Sequence, residues 1–416
     1  MSSTVFPNGI ISDSINASVS GSSIDMNNCE LTSVRCETPS STDSVANKEY
    51  VDDQRLDAKK SIRGKNLIIN GEMIVSQRGS SFVSVSSGDY TLDRWSYSAT
   101  DTSGVVDITQ DTDKPTIVAD GAFTYFNNSL KVDVTTADAS MDAGDTSLIL
   151  YKLEGYDMYP IYKSNEFTLS FWVKSNKTGT YCVSFKNSAS DRSYISTYSI
   201  SQADTWEKKT VTVDFLDASG GTWNLTDGTG LAIHFMLMCG STYQNTADTW
   251  HDGNYLATSS QTNLLDNTSN YFNLTGVQLE IGNEATYYDH IGYGETLRRC
   301  ERYFQLISAA SNSTNYMTFA HGYTGGGSTT SVTVFGFRLR EKMRDAPVLV
   351  SPAASQFQVY DLAGAATVCS NVSIVGASED VLNFSFVTAG GLTGNQPYFC
   401  QAANNVTAYM GFDAEI

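Results

Sequence analysis

In Phe167-Thr168-Leu169-Ser170-Phe171-Trp172-Val173-Lys174 every odd-numbered position is apolar. Side chains of a strand point alternately to its two faces, so this segment is expected to bury one face against a partner sheet and leave the other mostly wet. Strand character recurs at 66–75, 81–85, 89–97, 129–134, 180–186, 206–215, 230–238 and 271–281, with turn signals such as Ser219-Gly220-Gly221 and Asp227-Gly228 in between. Many antiparallel strands without a helical repeat predict an all-β fold, with a jelly-roll β-sandwich over residues 65–291.

Two helical signals flank this block. Ser44 caps a start and Gly64 a stop, so a helical connector is expected at 44–64, with Val51, Ala58 and Ile62 near one face. A helix of about five turns is marginal alone in water and gains stability by packing against copies of itself in a short parallel bundle. Downstream, Gly294-Glu295-Thr296 opens a linking helix expected over 292–306, in which Leu297, Cys300, Phe304 and Ile307 share a face. Strands then resume at 316–321, 331–339, 348–350, 356–362, 372–375, 381–387, 398–402 and 408–412, with a hairpin tip at Gly325-Gly326-Gly327. They predict a smaller β head domain at 307–416. Residues 1–43 hold too little apolar material for a core and are expected to form an extended segment that orders only against neighbouring chains.

Of the 416 residues only 17% are charged, and the formal charge is −19, so a phosphate backbone is repelled and no nucleic-acid partner is expected. Lys59-Lys60 and Arg298-Arg299 are isolated basic pairs that read as solvated helix-face charge. No basic and apolar leader opens the chain, and no apolar run reaches the roughly 18 residues of a membrane span, so neither secretion nor membrane insertion is expected. Cys29, Cys36, Cys182, Cys239, Cys300, Cys369 and Cys400 are scattered without a C-x-x-C pair, which argues for buried apolar roles over disulfides or zinc.

His234, His251, His290 and His321 stand apart with no metal-ligand spacing, and His234 in its apolar strand reads as an interior residue. G-x-S-x-G, G-x-G-x-x-G and G-x-x-x-x-G-K are absent. With 45 acidic residues, a carboxylate pair at glycosidase spacing arises by chance and implies nothing. No enzyme, cofactor or metal is therefore expected; Asp217 and Asp227 match no cation loop. The polar loop 241–256 contains Tyr243, Trp250 and Tyr255, aromatic faces that suit stacking on sugar C–H surfaces and are the candidate ligand-binding residues.

Three stretches carry a resemblance. Thr38-Pro39-Ser40 through Val45-Ala46-Asn47-Lys48-Glu49-Tyr50-Val51-Asp52 is similar to a fibre connector. Asn66-Leu67-Ile68-Ile69-Asn70-Gly71, Gln77-Arg78-Gly79, Asp93-Arg94-Trp95, Phe171-Trp172-Val173-Lys174 and Trp206-Glu207-Lys208-Lys209 resemble carbohydrate-binding-module-like jelly rolls of phage tail proteins. Gly276-Val277-Gln278-Leu279-Glu280-Ile281-Gly282 with Glu295-Thr296-Leu297-Arg298-Arg299 resembles the exit from such a sandwich. Within these motifs Trp95, Trp172 and Trp206 read as core, and Asp93 with Arg94 as an exposed ion pair at a sheet corner.

The resemblance is to bacteriophage tail-fibre and receptor-binding proteins. It implies a homotrimeric virion protein, made in the host cytoplasm, that docks to other tail proteins through its amino-terminal segment and binds a bacterial surface glycan or outer-membrane receptor. The head domain at 307–416 is the first expected recognition surface and the loop from Tyr243 to Tyr255 the second. Two rivals are a polysaccharide-degrading tailspike, told apart by sugar release from host capsule, and a purely structural tail or head-decoration protein, told apart by whether it binds host cells.

Overall fold

The structure, a computed structural model, describes residues 64–116, 126–164, 166–215, 220–309 and 315–416. The extended segment expected at 1–43 and the connector helix expected at 44–64 fall, apart from Gly64, outside the described residues. Two six-stranded antiparallel sheets face each other in a jelly-roll sandwich. The first has the order β1 (Ser81–Phe82), β3 (Val105–Asp111), β4 (Ser129–Thr136), β12 (Tyr271–Ile281), β6 (Glu166–Ser175) and β9 (Glu207–Asp214). The second has the order β11 (Trp250–Asp252), β8 (Arg192–Ile200), β7 (Gly179–Lys186), β10 (Thr229–Cys239), β5 (Thr146–Glu154) and β2 (Trp95–Thr100). Helix α1 (Gly155–Tyr162) follows β5, and α2 (Tyr293–Glu301) leaves the sandwich.

Beyond α2 lie a three-stranded sheet, β13 (Phe304–Ser308), β21 (Tyr409–Asp413) and β16 (Val348–Val350), and a closed barrel. The barrel runs β14 (Thr318–Tyr323), β15 (Ser331–Arg338), β19 (Val381–Thr388), β18 (Ala366–Ala377), β17 (Phe357–Tyr360) and β20 (Pro397–Ala402), and closure leaves it no open edge. Cys182, Cys239, Cys300, Cys369 and Cys400 are buried within these cores. No helix among the described residues is long and apolar enough to cross a membrane.

The apolar alternation of β6 does what its pattern predicts on one face. Phe167, Leu169, Phe171 and Val173 are fully buried, and Phe171 meets Tyr198 and Phe235 edge to face at 5.1 Å each. Each such ring contributes about 1.5–3 kcal/mol by burial. The other face is not wet as expected: Thr168, Ser170 and Trp172 are buried too, and the Thr168 hydroxyl donates to the Gly282 carbonyl at 2.7 Å. Strand β6 is thus covered on both sides.

Two further expectations change. Residues 66–75 form turns, not a strand, because asparagine side chains take over the backbone's hydrogen bonds. Asn70 accepts from Val75 N–H and donates to the Val75 and Asp93 carbonyls, all at 2.9 Å, with its own φ at 58°. Asn66 bridges Val277 and Leu279, where a bulge in β12 between Thr275 and Gln278 frees the backbone of Val277. That N–H donates to Gly71 O at 3.0 Å, and a Cβ on Gly71 would sit 2.1 Å from Val277 O, so this approach requires glycine. The linking helix expected over 292–306 stops at Glu301; Phe304 and Ile307 lie instead on β13, whose backbone pairs with β21 from Phe304↔Asp413 to Ser308↔Tyr409.

The Asp93-Arg94 turn is the centre of the junction between the sandwich and this last sheet. Arg94 does not pair with Asp93 at an exposed corner. It is fully buried at φ 73°, pairs with Glu415, donates to the Lys152 carbonyl at 2.6 Å and lies 3.4 Å over the Tyr303 ring. Burial opposes its charge, but Glu415 and the surrounding tyrosines hold its pKa above the ordinary guanidinium value. Asp93 instead accepts from Gln77 at two 2.6 Å bonds, and Gln77 reaches the Phe304 carbonyl at 2.8 Å. Arg78 stacks 3.6 Å over Phe304 and pairs with Asp413 at 3.0 Å. Replacing Arg94 with Met leaves Glu415 buried beside fewer cations. The expected cost is about 3–5 kcal/mol, read as a lower midpoint in urea denaturation; a loss below about 1 kcal/mol would refute the assignment.

Candidate functional site

The outer face of the second sheet carries the site. On β5, β10 and β7 the residues Ile149, Tyr151, Ile233, Phe235, Val183 and Phe185 fill the sandwich core. Their alternates Leu148, Leu150, Lys152, Ala232, His234, Cys182, Ser184 and Lys186 therefore face outward. One end of that face is roofed by the loop after β11, where Leu256 and Ala257 cover Leu148, Cys182, Met236 and Cys239. Beyond the roof the sheet floors a groove of about 320 Å³, within the usual range for a small-ligand site. Its floor holds Ser98, Leu150, Lys152, Lys186 and His234, and its walls hold Tyr243, Asn254 and the turn containing Asn187 and Ser190.

Of the three aromatic residues singled out in the sequence, the structure brings only Tyr243 to this groove. Tyr255 packs against the roof cluster beside it and meets His251 edge to face at 5.7 Å. Trp250 turns the other way. It is 8% exposed, lies 5.3 Å from Tyr194, 5.6 Å from Phe215 and 5.7 Å from Trp223, and donates its indole N–H to the Asp214 carbonyl at 2.7 Å. Its ring offers no open stacking face. Among the described residues no group of three or more His, Cys, Asp or Glu is placed to hold a metal; Asp217 lies outside them.

The groove's electrostatics rest on residues that the sequence reading passed over. Ala232 of β10 pairs with Lys152 on one side and Lys186 on the other, so two lysines flank it across roughly 9.5 Å of sheet. Burial, then Arg94, depresses the Lys152 pKa, and burial, then Lys152, depresses that of Lys186. The ammonium of Lys186 donates to Asn254 Oδ1 at 2.7 Å, and that of Lys152 donates to the main-chain oxygen of Ile416. Among the described residues no side-chain carboxylate lines the groove. The contrast with a larger crevice of about 450 Å³ beside α2 is instructive. There Arg298 and Arg299 pair with Glu295, Arg302 with Glu154 and Lys342 with Glu379, so the cations are neutralised internally.

A second feature missed in the sequence is the row Tyr156, Tyr159 and Tyr162 on α1, exposed by 59%, 51% and 40%. The three-residue spacing was the available signal, since such positions share a helix face.

His234 is 5% exposed, with Nδ1 3.4 Å from the Ser184 carbonyl, while the Ser184 hydroxyl is buried without a hydrogen-bond partner among the described residues. Burial, then Lys186, pulls the imidazole pKa down from 6.5 to about 3. The unfolded chain therefore binds a proton below pH 6.5 that the folded chain refuses, and stability falls as pH drops towards 3. The expected slope from this residue is about 1.4 kcal/mol per pH unit. Urea denaturation between pH 7 and 4 should show one fewer proton taken up on unfolding in His234→Leu than in the parent; equal slopes would refute it.

No protein-family model matches the chain, and no curated protein matches its sequence. Solved structures do align with it at low similarity. One is the enzymatically active domain of tailspike protein 4 from bacteriophage CBA120, at 15% identity and a TM-score of 0.29 over 52% of this chain. The aligned part spans only 21% of that tailspike chain. Another is the family 11 carbohydrate-binding module of Clostridium thermocellum in complex with a β-1,3-1,4-mixed-linked tetrasaccharide, at 13% identity and a TM-score of 0.25 over 50% of this chain and 98% of that one. A third, the CBM22-1 and GH10 modules of xylanase 10B from the same organism with xylohexaose, aligns at 13% identity and a TM-score of 0.25 over 51% of this chain and 30% of that one. The chain is thus similar to carbohydrate-binding sandwiches and to part of a phage tailspike, at values that assign it neither a ligand nor an activity.

Proposed function

We propose that this chain is a non-enzymatic phage attachment protein that binds a bacterial surface glycan in the groove on the outer face of the second sheet. The observation that carries the reading is the groove's lining. Hydroxyl and amide groups from Ser98, Ser190 and Asn254 surround an apolar floor at Leu150, and the Tyr243 ring stands at the wall. Sugars present hydroxyls and C–H faces together, and such a mixed lining answers both. The sequence resemblance to tail-fibre proteins supports the virion setting, with docking to other tail proteins through the amino-terminal segment 1–43.

Filling the groove tests the site. Ser98→Trp adds bulk to the floor on β2 without removing a core contact, and Tyr243→Ala removes the wall ring. Each is expected to weaken binding to host cells at least about tenfold at an unchanged melting temperature. Undiminished binding by Ser98→Trp would move recognition to the barrel, where Phe335 and Val375, exposed by 70% and 58% at bulges on either side of β19, give the second surface.

The proposed homotrimer rests on the helix that the sequence predicts at 44–64, which would be marginal alone, and on the core-poor composition of the segment before it. Sedimentation velocity of the full chain at micromolar concentration is expected to show a trimer. A folded monomer would overturn this.

A further inference from the structure

The chain carries 45 acidic residues against 26 basic ones, so a recess on its surface ought to be lined by carboxylates. The groove is the reverse: its ionisable side chains include Lys152, Lys186 and His234, and none among the described residues carries a carboxylate. The two lysines are not incidental neighbours. Strand register places them on one face, one on each side of Ala232, with His234 two residues along the same strand. The Lys186 ammonium makes no ion pair among the described residues and is held by the neutral Asn254 Oδ1, whereas the Lys152 ammonium is taken up by the main-chain oxygen of Ile416. The acid that acts most on Lys152 is Glu415, and Glu415 is already engaged by Arg94 and Arg78.

A half-buried lysine without a carboxylate partner among the described residues, facing a second lysine across Ala232, costs stability, and the fold retains it at an open recess. An anionic group entering beside Lys186 offsets that cost and forms charge-assisted hydrogen bonds, which are about twice as strong as neutral ones. A neutral sugar gains neither effect. We infer that the groove selects acidic saccharides, with a carboxylate or phosphate substituent of the sugar seated on Lys186 beside Ala232. The inference rests on the groove being the glycan site and adds the charge class of its ligand.

Charge selection is separable from glycan binding. The full chain is titrated against a panel of acidic bacterial capsular polysaccharides, each in its native form, after carboxyl reduction and after phosphate removal. Calorimetry is run at low and high salt. The expected result is binding of an acidic form about tenfold tighter than that of its neutralised counterpart, weakening as salt rises. Which treatment removes the preference tells carboxylate from phosphate. Lys186→Gln should abolish the preference while the melting temperature stays level or rises, and Lys186→Arg, which keeps the charge, should retain most of it. Equal binding of acidic and neutralised forms, or a preference that survives Lys186→Gln, would overturn the charge inference and leave the groove as a neutral glycan site. Binding of no panel member in any form, by a chain that melts cooperatively, would overturn both.

Discussion

The buried pair between Arg94 and Glu415 is the interaction on which the rest of the described structure depends. It joins a turn near the start of the sandwich to residues that follow β21, and the same guanidinium donates to the Lys152 carbonyl of β5. Three distant parts of the chain are therefore fixed by one side chain. The cost of burying a guanidinium is offset only when all its surroundings are in place: Glu415, the Tyr303 ring and the β5 carbonyl. Arg78 repeats the arrangement one layer out, over Phe304 and against Asp413. Arg344 adds bonds to the carbonyls of Ala414 at 2.8 Å and Glu415 at 3.2 Å.

This junction also shapes the groove. Strand β5 supplies Leu150 and Lys152 to its floor, and the Lys152 ammonium reaches Ile416, which Tyr90 also holds through a 2.8 Å hydrogen bond. The position of one binding-site cation is thus set by the docking of the last sheet against the sandwich. The opposite end of the face is closed by the roof loop, whose hydrophobic contacts to Leu148 and Met236 replace water there. Between the two closures the sheet is left open, and the lysines sit in that interval.

Part of this was written in the local sequence. Strand β12 occupies 271–281 as its pattern predicts, and β6, β7, β9 and β10 fall within a residue or two of their expected ends. Their apolar residues recur with the period that a half-buried strand demands. Strand β5 is not marked by alternation because Leu148-Ile149-Leu150-Tyr151 at its centre is a continuous apolar run. Strand β8, Arg192–Ile200, is rich in Ser and Tyr and hides its inward residues among polar ones. Segment 66–75 has the period of a strand but folds as turns, because periodicity does not reveal that asparagine side chains will take the backbone's partners.

What the sequence by itself determined is the all-β class and the strands with a clean period, since period and turn chemistry are local properties. The tertiary structure decided which aromatic residues are free: Trp250 and Tyr243 share one polar loop, yet one completes the core and the other walls the groove. It also decided that Arg94 meets Glu415, and that Lys152 and Lys186 meet across Ala232. These pairs arise from the order of strands in a sheet and the docking of one sheet on another. Hydrogen-bonded register between distant segments is a property of the assembled chain, and no local pattern encodes it.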